Sequence, residues 1–588
     1  MVNLGWQRFS SRIPVPWRLG ILLGGLATLS LLIGQGIPAL FDWDELIYGS
    51  LARHMLRTGH WWELHINDLP FWEKPPLFFW LQALSMGVGG VNPTAARLPN
   101  ALAGGLLVGL LVGVAAHLGS TRLAWCWGIL MGGSLLPMLF GKTGLIDPLL
   151  NSLMLGGLLG LFGWEQARLH QKKADHYLYL GAILLGLAML TKGPLGILLP
   201  LVIWGLYKIW HRDPWMTWGE GLRFSLVVGG VALSWFVVEW LLAGPTFVWQ
   251  FIRYQWRILT TSDGHGGPIY FHLLAYSLGC FPFAWLTWQG MQDPWIAQEN
   301  QDSQAARRFS HLLLVAFGVV LGLFSLVVQT KLIHYTSLLY PLGSYFAARR
   351  CQRCLEQGSR LTRLETLGTL LSGGLIGCLL LLLAWVGQHR ELVKTWIGDP
   401  LTQAYLSAPV SWPGYVYWPG IILLIGLGVS GLGWNTSNGA RRSRRWLLLL
   451  LATWLSGQLI WGTLISRVLL HTQGGSMAFF QSFASVDSRS SPPYPVALYG
   501  FRSFIPYFYG PDQVPYSEQL WSLIPLVENG WVEHVVTWQP FVAELQARLP
   551  LTSQAEWGGV VLLKNQVIWT ETLETTQPPP LTLPHPKP

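Results

Sequence analysis

The sequence FDWDELIYGSLARHMLRTGHWWELHINDLPFWEKPPLFFW (residues 41–80) gathers Asp42, Asp44, Glu45, Glu73 and Lys74 just after the apolar run 19–40. A run of about twenty apolar residues crosses a bilayer, and charge set against a bilayer is costly and usually functional. The charged segment is too long for a turn. Leu46, Tyr48, Leu51, Met55 and Leu56 recur in it at helical spacing, which predicts an amphipathic helix lying on the membrane surface. KPPLFFWLQALSMGVG (residues 74–89) reads as a second helix, either of this kind or re-entrant. With acidic residues at their ends, the two would floor a cavity between lipid and water.

Reading outward, the whole chain has a membrane composition: of 588 residues, 51% are apolar and 11% charged, far from the usage of soluble domains. The formal net charge of +9 falls in short basic clusters between apolar runs, the pattern that orients membrane helices and not one that binds nucleic acid. Apolar runs predict about thirteen crossings, near residues 19–40, 98–118, 123–141, 146–164, 177–191, 193–208, 223–243, 270–289, 310–329, 335–348, 366–387, 416–434 and 446–466. Arg8, Arg12 and Arg18 precede the first, without a small-residue cleavage site, so it reads as an uncleaved span. Around TKGP (residues 191–194), Arg168, Lys172 and Lys173 lie before the apolar stretch and Lys208 and Arg212 after it. Both flanks prefer the cytoplasm, so the chain crosses twice there.

With the N-terminus inside, the same parity sends Arg307–Arg308, Arg349–Arg363 and RRSRR (residues 441–445) to the cytoplasmic side. The loops 41–97, 142–147, 191–194, 244–269, 330–334 and 388–415, and everything after about residue 467, then share the outer face. Those segments carry Asp44, Glu45, Glu73, Lys74, Asp147, Lys192, Arg257, His265 and Lys331. After the last span, YPVALYGF (494–501), VEHVVTW (532–538) and GGVVLLKN (558–565) are short β-rich runs separated by helical or turn-rich stretches, which predicts a small α/β domain outside the membrane. The expected organisation is therefore a transmembrane region at residues 1–466, an extracytoplasmic α/β domain at 467–570 and a proline-rich disordered tail at 571–588. The five cysteines make no disulfide framework or zinc site and read as unpaired thiols.

A carboxylate at this boundary can take a proton from an attacking hydroxyl, and Asp44 and Glu45 are the candidates. Cations converging from other loops, Lys74, Lys192, Arg257 and Lys331, suit a phosphate. Base, phosphate cradle and apolar walls together suit a lipid-phosphate leaving group. Glu73 and His265 are ordinary ligands for a divalent metal such as Zn, Mg or Mn, although His265, in DGHGGP, also fits a solvated turn. Asp147, in GLIDPLL, also fits a helix start, as Asp ahead of a proline does.

Residues 43–77, LAMLTKGPLGILLPL (187–201) and KLIHYTSLLYPL (331–342) together resemble the signatures of bacterial GT-C glycosyltransferases, the group that includes lipid A aminoarabinose transferases and protein O-mannosyltransferases. The resemblance covers nearly the whole chain. It implies a polytopic GT-C fold in the plasma (inner) membrane with its active site on the extracytoplasmic side, and an inverting transfer from a polyprenyl-phosphate-linked sugar to a lipid, glycan or protein acceptor. It also implies Asp44 as the catalytic aspartate with Glu45 beside it. Lys74, Arg257 and Tyr335 would lie near the donor phosphate, with Lys331 and Lys192 in the same cradle, Asp147 and Tyr48 toward the acceptor, and Glu73 with His265 where such enzymes hold a metal. One departure bears on sugar and acceptor: the aminoarabinose branch has Asp-Glu-x-Arg-Tyr, whereas here Ile47 stands in the arginine position and cannot grip a phosphate. The competing expectations are a transporter or flippase for such lipids, which would carry ionisable residues at the bilayer midplane and repeated halves, and an outer-face scaffold.

Overall fold

The computed structural model describes residues 14–118, 120–261, 265–292, 304–356, 360–431, 439–485, 492–567 and 581–582. Arg8, Arg12 and the expected disordered tail, apart from Leu581 and Thr582, lie outside the described residues.

The chain is a helical bundle followed by an α/β unit. In chain order the bundle contains α1 (Val15–Leu32), α2 (Asp44–Thr58), α3 (Leu77–Gly89), α4 (Pro93–His117), α5 (Thr121–Gly133), α6 (Leu135–Gly141), α7 (Asp147–Leu169), α8 (Asp175–Lys192), α9 (Leu195–His211), α10 (Trp218–Ala243), α11 (Thr246–Thr260), α12 (Phe271–Gly279), α13 (Ala284–Met291), α14 (Gln304–Gly322), α15 (Leu339–Glu356), α16 (Arg363–Gln388), α17 (Trp418–Gly431), α18 (Gly439–Leu459) and α19 (Ser466–Ser482). Leu22, Leu29, Leu106, Leu226, Leu241 and Leu371 on its long helices are exposed, as on a lipid-facing exterior. Helices α1 and α4 pack backbone to backbone: a Cβ added at Gly24 would lie 2.7 Å from the Gly105 carbonyl, the close approach that small residues give to membrane helices.

Among the described residues, six helices are long and apolar enough to cross a membrane, and seven if the pair α5 and α6, bent by 67°, counts as one span. The protein is thus a multi-pass membrane protein, in which fewer of the described helices reach full span length than the thirteen crossings expected. The difference has a physical origin, because hydropathy reads through Gly and Pro whereas the backbone does not. The run 270–289 splits into α12 and α13 around Pro282, whereas the stretch around TKGP breaks at Gly193 and Pro194 into α8 and α9, at the place where two separate crossings are expected. Gly193 has φ +85° and packs under the Phe251 ring, which a Cβ would meet at 2.6 Å. No other residue type fits both constraints.

The α/β unit has a five-stranded sheet in the order β4–β3–β5–β7–β6, where β3 is Tyr494–Tyr499, β4 Tyr516–Ser517, β5 Val532–Trp538, β6 Leu551–Trp557 and β7 Val560–Asn565. The remaining strands, β1 (His65–Ile66) and β2 (Leu69–Pro70), form a hairpin in the loop after α2. Strand β3 is parallel to β4 and β5, with helix Leu520–Glu528 in the connection that leads to β5, and β5 to β7 and β7 to β6 are antiparallel. All six residues of β3 are buried, as in a strand covered on both faces.

One packing relation differs from the expected surface helix. Helix α2 is amphipathic, but its apolar residues do not lie on lipid: Leu46, Ile47, Tyr48, Leu51, Ala52 and Met55 are buried in a core shared with α3 and with Phe504, Ile505, Tyr507 and Phe508 of the α/β unit. Arg53 donates to the Tyr507 carbonyl at 3.0 Å and pairs with Asp512 at 3.3 Å. Asn67, in the β1–β2 turn, exchanges two hydrogen bonds with the backbone of Val514.

Candidate active site

Loops from one end of the bundle enclose a cavity of about 1200 Å³. It lies where the turn before α2, the loop before α3, the α8–α9 break, helix α11 and the segment 328–335 converge. Of the residues singled out in the sequence, Asp44, Glu45, Tyr48, Glu73, Lys74, Lys192, Arg257, His265 and Tyr335 line it. One wall is apolar, formed by Leu195, Leu198, Val202, Val319 and Leu323.

Asp44 is the first residue of α2, where a carboxylate is stabilised by the exposed amides of the first turn. It is half-buried and faces the cavity, with no hydrogen bond or ion pair on its carboxylate among the described residues. Its neighbour Glu45 is used differently. Both Glu45 oxygens meet the Arg97 guanidinium, at 3.2 and 2.6 Å, and they also accept the backbone amides of Phe41, at 2.8 Å, and Gly144. Arg97 spends its remaining donors on the carbonyls of Gln35, Pro38 and Ala39. Glu45 is therefore 1% exposed and committed to a structural ion pair, which corrects its expected role as a second acting carboxylate.

Lys74 is buried, and its ammonium donates to the Tyr254 hydroxyl at 2.8 Å. Burial pushes the Lys74 pKa down, while the nearby Glu73 and Asp44 carboxylates oppose the shift. Lys192, at the end of α8, pairs with Asp147 at 2.5 Å and lies 5.0 Å above the Tyr335 ring. Asp147 is the first residue of α7 and contacts the site through Lys192, not as part of the cavity wall. Arg257 stacks over Tyr254, 5.3 Å from the ring centre.

Lys331 does not join this cradle. Its ammonium donates to the carbonyls of Phe324, Ser325 and Val328, at 2.8, 3.0 and 2.6 Å, where a π-helical turn (Leu323–Val327) ends. Carbonyls left unpaired at a helix end attract such a cation. The Lys331 amide also holds the His265 carbonyl at 2.7 Å, so this residue shapes the wall rather than the anion site. Glu73 and His265 share the cavity, but no group of three or more His, Cys, Asp or Glu able to hold a metal forms among the described residues. A protein-built site of three or four ligands is not made by this pair.

Three lining residues carry no signal strong enough to find from sequence. Tyr254 is one aromatic among many in RYQWR, and His334, whose pKa burial pushes down, reads as part of an apolar stretch. Arg502 reaches the cavity from the α/β unit, more than four hundred residues from the first loop.

The sequence profile of the dolichyl-phosphate-mannose-protein mannosyltransferase family matches residues 73–241. Curated relatives include an undecaprenyl phosphate-alpha-4-amino-4-deoxy-L-arabinose arabinosyl transferase of Erwinia tasmaniensis, 23% identical over 64% of this chain and 67% of the relative. A second, from Pseudomonas fluorescens strain Pf0-1, is 28% identical over 48% of this chain and 52% of the relative. In several of these relatives the chain spans about half of their length. Among solved structures, ArnT from Cupriavidus metallidurans bound to undecaprenyl phosphate superposes with a TM-score of 0.68 at 20% identity, covering 93% of this chain and 97% of that one. Its apo form gives the same TM-score. By its architecture and by these likenesses, the chain has the fold of the GT-C glycosyltransferases and resembles the aminoarabinose transferases and mannosyltransferases.

Proposed function

We propose that the chain is an integral-membrane inverting glycosyltransferase that moves a sugar from a polyprenyl-phosphate donor to a lipid, glycan or protein acceptor at the extracytoplasmic face of the plasma membrane. One observation carries the reading: a single cavity brings Asp44 together with Lys74, Lys192 and Arg257 beside an apolar wall to which α9 and α14 both contribute. The cations suit the donor phosphate and the wall its isoprenoid tail. Asp44 takes the proton of an acceptor hydroxyl as its oxygen bonds to the anomeric carbon. The sugar–phosphate bond breaks in the same displacement, its electron pair leaves with the polyprenyl phosphate, and the Lys74 and Lys192 ammonium groups hold the charge that develops there. One displacement inverts the anomeric centre.

In this reading the shorter helices also cross or enter the bilayer, which supports about thirteen crossings in total, with residues 1–466 as the membrane region and 467–570 as the extracytoplasmic domain. Glu45 and Arg97 position the turn that carries Asp44, and Tyr48 and Asp147 support the acceptor and cation sides. The test is incubation of the purified protein with a panel of polyprenyl-phosphate sugars, with and without candidate acceptors. The expected product is free polyprenyl phosphate, together with a glycosylated acceptor of inverted configuration. Movement of intact donor between leaflets without release of polyprenyl phosphate would make the protein a flippase instead.

A further inference from the structure

The three cations of the donor cradle enter the cavity from the loop before α3, the end of α8 and helix α11. A fourth lining cation, Arg502, comes from the loop after β3 and is the one lining residue that the α/β unit contributes among the described residues. Its neighbours in the chain hold the turn that carries Asp44. Ser503 and Phe504 clamp Asp42: the Ser503 hydroxyl donates to one carboxylate oxygen at 2.5 Å and the Phe504 amide to the other at 2.9 Å. Trp43 meets the Phe504 ring edge-on at 4.9 Å. The loop bearing Arg502 is therefore fixed to the residues immediately before Asp44.

Arg502 is about one quarter exposed, and a single nitrogen, Nη2, contacts both oxygens of Glu518 at 3.0 and 3.2 Å. Glu518 is itself half exposed. A pair this open to water contributes little to stability and exchanges readily, whereas guanidinium binds planar oxyanions through two parallel donors. We propose that Arg502 is an acceptor-side recognition residue: it binds an oxyanion, phosphate or carboxylate, carried by the acceptor near its reacting hydroxyl, and in doing so exchanges Glu518 for the substrate. The inference rests on the transferase reading and deepens it. Two anionic groups would then occupy one cavity, the donor phosphate on Lys74, Lys192 and Arg257 and the acceptor oxyanion on Arg502, with Asp44 between them in the reaction.

The test uses the full chain in detergent with its donor site saturated by undecaprenyl phosphate, and measures binding of octyl phosphate, octanoate and octanol by equilibrium dialysis. Wild type should favour octyl phosphate or octanoate over octanol, and the better of the two names the oxyanion. Arg502→Ala should lose that preference by about tenfold or more, the range for a lost charged hydrogen bond, and Arg502→Lys should restore part of it. Glu518→Gln, which frees the guanidinium, should tighten it. Undecaprenyl phosphate binding should stay at the wild-type level in all three variants, which shows that the fold and the donor cradle survive. Equal binding of the three probes by wild type, or an unchanged preference in Arg502→Ala, would overturn the proposal. Release of polyprenyl phosphate from the sugar panel is scored separately, so a failed transferase reading is told apart from a failed Arg502 assignment.

Discussion

Asp44→Asn keeps the size of the side chain but removes its basic lone pair, so with a hydroxyl acceptor turnover should fall by at least about a hundredfold, the range for a lost general base. Donor binding and expression should stay near wild type. A milder loss would point to an acceptor that is already an anion at the attacking atom, and unchanged turnover would remove Asp44 from the chemistry. Glu45→Gln should fail in the opposite way. It leaves the fully buried Arg97 guanidinium without its counter-ion, a change that costs about 3–5 kcal/mol. Its thermal unfolding temperature should drop well below that of Asp44→Asn, whose carboxylate has no partner to abandon among the described residues. Lys74→Ala should weaken donor binding by about tenfold or more, read as the Kd for undecaprenyl phosphate, because a charged hydrogen bond contributes about 1.5–3 kcal/mol. The sequence marks Asp44 and Glu45 as one acidic pair. It does not separate them, because the residue that does so, Arg97, lies in the first turns of α4 and looks like any other basic residue near a span.

At the level of elements, the turn 41–44 is bound from outside by the loop 502–504, and its chemistry is pH-sensitive. Burial pushes the Asp42 pKa up from 3.8 to about 6, against the opposing pull of its hydrogen bonds from Ser503 and Phe504. The folded state thus holds the Asp42 proton more tightly than the unfolded chain. Its contribution to stability is fully present below about pH 4 and is lost as pH rises through about 6, a change of at most about 3 kcal/mol from the size of the shift. Asp42→Asn, which stays neutral, should melt with wild type near pH 4 and above it at pH 7. The helices themselves are legible in the sequence, since apolar runs and Gly or Pro breaks are local properties. The partner of α2 is not. Its amphipathic pattern specifies only that one face must be covered, and lipid and the Ile505–Tyr509 helix cover an apolar face equally well by that criterion. The same limit hid the role of Lys331: a cation next to a loop suits a phosphate as well as the end of a π-helical turn, and only the path of the backbone decides.

For the whole molecule, the gathering of the site at one end of the bundle predicts its sidedness. In a background without the five free cysteines, single cysteines in loop 41–97, at 244–269 and after 467 should label from outside intact cells, and those at 349–363 should not. Labelling of both sets from the same side would break the topology. The architecture also sets a timetable. The Asp42 carboxylate and the Ser503 hydroxyl that clamps it are 461 positions apart, and a ribosome needs roughly 25–90 s to cover that distance at about 5–20 residues per second. Through that interval the apolar face of α2 lacks the cover that Phe504, Ile505, Tyr507 and Phe508 give it, and the turn before Asp44 is unclamped. A chain cut short before β3 would keep its apolar helices and still lack the contacts that hold the turn before Asp44, so the order of synthesis leaves the candidate site unfinished until the last hundred residues have emerged.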